Sequence, residues 1–256
     1  MQPEIAVTEP IGPADASVVV LGASLGTTAA TLWEDVVPLL SQRFRVVLWD
    51  LPGHGAAPPA AAPFTIAALA AALADRIRTH GRVHVAGVSL AGAVSQQLVV
   101  AHPDLLRSAA IVCSSARFGE AAAWHERAAR IRAEGTGVLV AQQAERWFAP
   151  GSVDARPGLT GRLLQELADA DDESYALCCE ALAGYDVREA LRGASTPLLA
   201  LFGEHDPVSP RADVEAIAAA VGDGRTAGIA GASHLAPAEQ PAEVAAELIR
   251  FFEQHD

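Results

Sequence analysis

Three short segments of this 256-residue chain carry the residue types of nucleophilic catalysis. The first is Gly87-Val88-Ser89-Leu90-Ala91-Gly92, which ends a β-branched run and opens a helical one. A serine on so sharp a strand-to-helix turn presents its hydroxyl, and the neighbours two residues either side must be small. Gly87 meets that need. Ala91 stands where glycine is usual, and Gly92 beside it leaves room for close strand–helix packing. The helix N-terminus behind Ser89 favours developing negative charge. The competing reading of Ser89 is a helix N-cap on an ordinary βαβ turn. The second segment is Phe202-Gly203-Glu204-His205-Asp206-Pro207-Val208, at the end of another apolar run. Active sites of open parallel sheets lie at such ends. Asp206 is the candidate acid and Glu204 the rival carboxylate; the shorter Asp206 side chain, ahead of Pro207, is the more rigidly held. The third segment, Gly231-Ala232-Ser233-His234-Leu235, offers His234 as a base. His54, His80, His84, His102, His125, His205 and His255 have no comparable setting.

These types have a shared chemistry. Serine is a weak nucleophile until a positioned base takes its proton. A histidine, ordinarily titrating near ~6.5, does this around neutral pH. An aspartate holds the ring and stabilises the imidazolium. Leu21-Gly22-Ala23-Ser24-Leu25-Gly26 is small and flexible and ends an apolar run. It is placed to give an oxyanion hole the N–H of Leu25, beside the N–H of Leu90. Asp50-Leu51-Pro52-Gly53-His54-Gly55 reads as a structural turn, and His54 is assigned to that turn.

Elements must hold these segments. Apolar runs at 17–22, 45–50, 82–87, 109–113, 197–203 and, more weakly, 225–229 read as buried parallel strands. Helical spacing occupies 31–41, 65–79, 90–101, 210–221 and 238–254. Strand alternating with helix predicts an α/β fold with a mostly parallel, doubly wound sheet. Residues 117–189 break the alternation, with several helical segments split at Gly135, Pro150 and Pro157. They read as a helical cap inserted into a core of 1–116 and 190–256. Ala56–Pro63 reads as a surface loop.

The composition, 51% hydrophobic and 19% charged, is that of a folded globular chain. A net charge of −13 repels nucleic acids and anionic membranes, so neither is an expected partner. Cys113, Cys178 and Cys179 offer no disulfide framework and no metal spacing, and are expected as buried thiols. No secretory segment opens the chain, and no run approaches the roughly 18 apolar residues of a membrane span, so the expectation is a cytoplasmic protein.

With these residues assembled, the chain resembles the α/β-hydrolase superfamily along its whole length, and within it the 3-oxoadipate enol-lactonases. The similar features are Ser24-Leu25-Gly26-Thr27-Thr28, Gly53-His54-Gly55 and Val88-Ser89-Leu90. In the insertion they are Glu145-Arg146-Trp147-Phe148 and Tyr175-Ala176-Leu177-Cys178-Cys179-Glu180, and near the end Ala232-Ser233-His234-Leu235 and Glu239-Gln240-Pro241. The chain order Ser89, Asp206, His234 is also that of the fold. Ala91 and the stretch Phe118–Ala123 depart from the pattern. The resemblance implies hydrolysis of 3-oxoadipate enol-lactone to 3-oxoadipate in the bacterial catabolism of aromatic compounds. It implies no metal or organic cofactor. Some members carry a fused carboxymuconolactone decarboxylase domain, and this chain is expected to hold the lactonase alone.

The lactone is a small anion, so an acidic protein must meet its carboxylate with a local cation. Arg117 is the first candidate, with Arg127, Arg130 and Arg146 as alternatives. The competing reading pairs all four with the cap's many acids. Trp124 and Trp147 either wall the pocket or are buried cap residues. Rival functions with the same triad are a carboxylesterase, a carbon–carbon bond hydrolase and a perhydrolase. A haloalkane dehalogenase or epoxide hydrolase needs aspartate where Ser89 stands. A ligand-binding receptor on a hydrolase scaffold is the rival outside enzymes.

Overall fold

A computed structural model describes residues 2–256. Its strands are β1 (Ala6–Val7), β2 (Val18–Gly22), β3 (Arg45–Asp50), β4 (Val83–Val88), β5 (Leu106–Val112), β6 (Leu198–Gly203) and β7 (Gly224–Ile229). They form a seven-stranded sheet in the order β1-β3-β2-β4-β5-β6-β7. Only β1 is antiparallel, paired to β3 through Ala6–Asp50 and Val7–Trp49. Every residue of β2 and β4 is buried, which is why both read as continuous apolar runs. β7 closes one edge and is mostly exposed, so its run is weak.

The helices are α1 (Ala29–Leu32), α2 (Val37–Leu40), α3 (Ile66–Ile77), α4 (Leu90–Ala101), α5 (Ala121–Glu134), α6 (Val140–Trp147), α7 (Ser152–Ala155), α8 (Pro157–Asp169), α9 (Asp172–Ala183), α10 (Arg211–Ala220), α11 (Ala236–Glu239) and α12 (Pro241–Glu253). Two expected helices are each broken in two, and proline is the reason. Pro38 has no N–H for the Glu34 carbonyl, so α2 starts afresh with Pro38 in its first turn. Pro241 likewise separates α11 from α12. The Ala56–Pro63 stretch has no regular structure and is largely exposed. All three cysteines are free and buried.

The winding places the site. The chain runs from β2 outward to β3, then crosses back to β4 on the other flank of β2. The sheet therefore switches direction between β2 and β4, and a crevice opens beyond their carboxyl ends. Helices α5–α9 fall between β5 and β6, with α5 and α9 side by side. Helix α8 packs on α1, where Glu166 accepts hydrogen bonds from the Thr28 amide and hydroxyl, each at 2.8 Å, and from Thr31 Oγ1.

Candidate active site

Ser89 sits between β4 and α4 at φ 54° and ψ −113°, a left-handed conformation costly for any residue with a side chain. Its amide donates to the Val112 carbonyl at 3.0 Å and its carbonyl accepts from Ser114 Oγ at 2.7 Å, which locks the turn onto β5. Small residues make the turn possible. A Cβ on Gly87 would lie 2.2 Å from the Ala91 carbonyl oxygen, and one on Gly92 would lie 2.6 Å from Ser114 Cβ. Ala91 is accommodated by neighbouring β2, because a Cβ on Gly22 would sit 2.6 Å from Ala91 Cβ. Among the described residues the other non-glycine at positive φ is Cys113, at 46°, just past the end of neighbouring β5.

Asp206 and His234 meet beyond β6. His234 Nδ1 lies 3.1 and 3.0 Å from the two Asp206 oxygens. Asp206 Oδ1 also accepts from the amides of Val208 at 2.7 Å and Ser209 at 3.2 Å, a turn set by Pro207. Burial raises the Asp206 carboxyl; the His234 charge, its hydrogen bond and the two amides outweigh burial and hold it below the usual carboxylate range. Gly203 admits the histidine loop, since a Cβ there would lie 2.1 Å from the Ser233 carbonyl oxygen. The rival Glu204 is exposed and accepts from the Gly231 amide at 2.9 Å, away from the imidazole.

Ser89 and His234 line one cavity of about 240 Å³ with Ser24, Leu25, Trp124, Trp147 and Val208. Among the described residues neither the Ser89 hydroxyl nor the Leu25 and Leu90 amides make a hydrogen bond, so all three are free for a ligand. His54 does more than shape its turn. It is buried, its Nδ1 donates to the Pro52 carbonyl at 2.9 Å, and its Nε2 accepts from the Gly26 amide at 3.1 Å. That pairing fixes the tautomer. Burial lowers the His54 pKa, which keeps Nε2 an acceptor and pins the Leu25–Gly26 loop.

Helices α5, α6 and α9 supply the roof. Gln143, Arg146 and Trp147 share one face of α6, Trp124 and Arg127 one face of α5, and Tyr175 comes from α9. Trp124 is fixed by its Nε1 donating to the Phe118 carbonyl at 2.7 Å, and the Arg127 guanidinium lies 5.2 Å from the centre of its ring. Among the described residues neither Arg127 nor Arg146 forms an ion pair. Burial lowers the Arg146 pKa, and the Arg127 charge adds to that. Gln143 Oε1 and the Tyr175 hydroxyl are buried without a hydrogen-bond partner. Burial pushes the Tyr175 phenol up, opposed by the Arg127 charge.

Arg117 does not reach this cavity. The Arg117–Asp186 bridge, with the Val187 amide on the Ala116 carbonyl at 3.0 Å, ties its backbone aside. Its guanidinium pairs with Glu120 at 3.1 Å, beside a separate groove with Arg188 and Leu191. Arg130 pairs outward with Glu134 at 3.3 Å. The two arginines of the cavity are the alternatives Arg127 and Arg146. Gln143, Tyr175 and the link from His54 to the oxyanion loop were not read from the sequence; the 143, 146, 147 spacing was the available signal for Gln143.

The family model described as the alpha/beta hydrolase family matches residues 18–247. The chain belongs to that family. This hydrolase is 32% identical over 233 residues to 3-oxoadipate enol-lactonase 2 of Acinetobacter baylyi, covering 90% of this chain and 86% of that protein. It is 33% identical over 198 residues to a pimeloyl-[acyl-carrier protein] methyl ester esterase of Aeromonas hydrophila, covering 72% and 75%. The crystal structure of the enol-lactonase from Burkholderia xenovorans LB400 superposes with a TM-score of 0.92 at 28% identity, covering 98% of this chain and 97% of that one. Among the described residues no helix is long and apolar enough to cross a membrane.

Proposed function

We propose that this hydrolase opens 3-oxoadipate enol-lactone to 3-oxoadipate, through an acyl-enzyme on Ser89, in the breakdown of aromatic compounds. The observation that carries the reading is the pairing of a Ser89–His234 floor with a roof of two arginines free of ion pairs. Unpaired guanidinium groups that line a cavity suit a ligand that brings its own carboxylate. The cavity volume of about 240 Å³ suits a small molecule. The enol-lactonase relatives point the same way.

The mechanism follows from the atoms. Asp206 accepts a hydrogen bond from His234 Nδ1–H, which leaves Nε2 to take the proton of the Ser89 hydroxyl. Ser89 Oγ attacks the lactone carbonyl, and the Leu25 and Leu90 amides receive the oxyanion, each worth about 3–4 kcal/mol. The ring C–O bond breaks, and His234 returns its proton to the enol oxygen. Water, deprotonated by His234, cleaves the acyl-enzyme, and the released enol tautomerises to the ketone. Arg127 and Arg146 hold the substrate carboxylate, and Trp124 and Trp147 wall the ring. No step calls on a metal or organic cofactor.

The test is hydrolysis of enzymatically generated enol-lactone, followed by ultraviolet absorbance, for wild type and Ser89→Ala. The expected result is fast turnover lost by about 10⁶-fold in the variant. Turnover that survives Ser89→Ala would overturn the mechanism. The methyl ester esterase relative favours a second reading, a simple carboxylesterase. Activity on p-nitrophenyl esters with none on the lactone would select it.

A further inference from the structure

One buried carboxylate has no place in the chemistry above. Glu239, in α11, is 9% exposed and pairs with no cation among the described residues. Its two oxygens go to two different parts of the molecule. Oε2 accepts from the Ser233 amide at 2.7 Å, in the residue before His234. Oε1 accepts from the Ala149 amide at 2.6 Å, in the cap just past Arg146 and Trp147. The same two stretches are joined twice more. Ser233 Oγ donates to the Arg146 carbonyl at 3.0 Å, and the Leu235 amide donates to the Trp147 carbonyl at 3.1 Å. His234 is therefore flanked on both sides by residues bound to the segment that carries Arg146 and Trp147.

We infer that Glu239 is a positioning residue that sets His234 and the Arg146–Trp147 segment in register, so that base placement and carboxylate recognition are fixed by one side chain. The inference rests on the reading of Arg146 given above. A buried carboxylate is costly, and a leucine or methionine would fill the space, so packing alone does not account for it. What it supplies is two acceptors at the spacing of two backbone donors from separate elements. Without it both amides lose their partner. Glutamine has one acceptor oxygen, and its NH₂ must face the other N–H, so Glu239→Gln keeps the volume and cuts one arm.

The experiment compares Glu239→Gln and the milder Ser233→Ala with wild type in three reactions. These are enol-lactone hydrolysis, hydrolysis of neutral p-nitrophenyl acetate, and labelling of Ser89 by a fluorophosphonate. For Glu239→Gln, kcat on the neutral ester and the labelling rate should fall about fivefold to tenfold as the base shifts. KM for the lactone should rise about tenfold more, an extra loss that vanishes in an Arg146→Ala background. Ser233→Ala should move the same quantities in the same direction by about threefold. The inference is overturned if both variants lose only melting temperature, or if the Glu239→Gln and Arg146→Ala losses on the lactone simply multiply. A wild type that labels but does not turn over the lactone defeats the substrate reading alone. The fluorophosphonate rates then decide, with wild-type rates in both variants overturning the placement of His234 by Glu239.

Discussion

The floor and the roof of the cavity are built on different principles. The floor belongs to the sheet. Ser89 is held by its amide on the Val112 carbonyl of β5 and by the Ser114 hydroxyl on its carbonyl, and Gly87, Gly92 and Gly203 stand where any Cβ would meet a neighbour at 2.6 Å or less. Its geometry is dictated by main chain. The roof belongs to helices α5, α6 and α9, which touch the cavity with long side chains whose backbones are ordinary. Arg127 and Arg146 are held by burial and ring contact, not by ion pairs. On the proposed mechanism, a floor of this kind fixes reacting atoms, whereas a roof of this kind sorts ligands. Floor changes should therefore strike kcat and roof changes KM.

The largest effect expected on that division is from Asp206→Asn. It leaves His234 without the acceptor that sets its tautomer, and kcat should drop about 10⁴-fold with little change in KM. Next is Gly203→Ala, whose methyl would meet the Ser233 carbonyl and displace His234 without touching a ligand. A loss of about 10²-fold in kcat is expected, and an intact rate would show the floor to be softer than its contacts imply. Arg127→Ala and Arg146→Ala should each raise KM for the enol-lactone about tenfold to a hundredfold while sparing neutral esters. Equal losses on both substrates would erase the distinction between floor and roof.

The smallest effect lies outside the cavity and serves as a control. His84, buried in β4 against Ser108, has its pKa lowered to about 4 by burial, which outweighs the support of Asp256. A histidine depressed in the folded state binds fewer protons there than when unfolded. Stability should fall as pH drops from the ordinary value of ~6.5 towards 4, by about 2 kcal/mol between pH 7 and pH 5. Denaturant titrations of wild type and His84→Leu should differ in that slope, with kcat at neutral pH unchanged.

The same division explains what the sequence reveals. β2, β4 and β6 are legible because burial on both faces demands unbroken apolar runs. β1, two residues long, is too short for any pattern, and exposed β7 barely shows one. Ser89, Asp206 and His234 stand out because strand ends and glycines surround them. The cap has no such frame, and its arginines look alike by composition. The presence of an acid three or four residues along the chain nevertheless separates them. Arg117 has Glu120 three residues on, and Arg130 has Glu134 four on, each an ion pair in the structure. Arg127 and Arg146 have no acid three or four residues away in either direction, so no helix neighbour claims their charge. The Glu239 bridge is only half local, because Ser233 stands six residues before it whereas Ala149 comes from the distant helical insertion.

The contact between Gly22 and Ala91 also bears on the routes by which this sequence can drift. Exchanging Ala91 for the more usual glycine removes one methyl from a helix and costs about 1 kcal/mol in backbone freedom. The reciprocal change is closed. A Cβ on Gly22 would lie 2.6 Å from Ala91 Cβ and 2.4 Å from Trp49 Nε1, so even a glycine at 91 leaves the tryptophan in the way. Of two small residues that meet where α4 packs on β2, one is free to vary and the other is locked. A lineage that departs from the usual elbow at position 91 thus does so only while position 22 stays without a side chain.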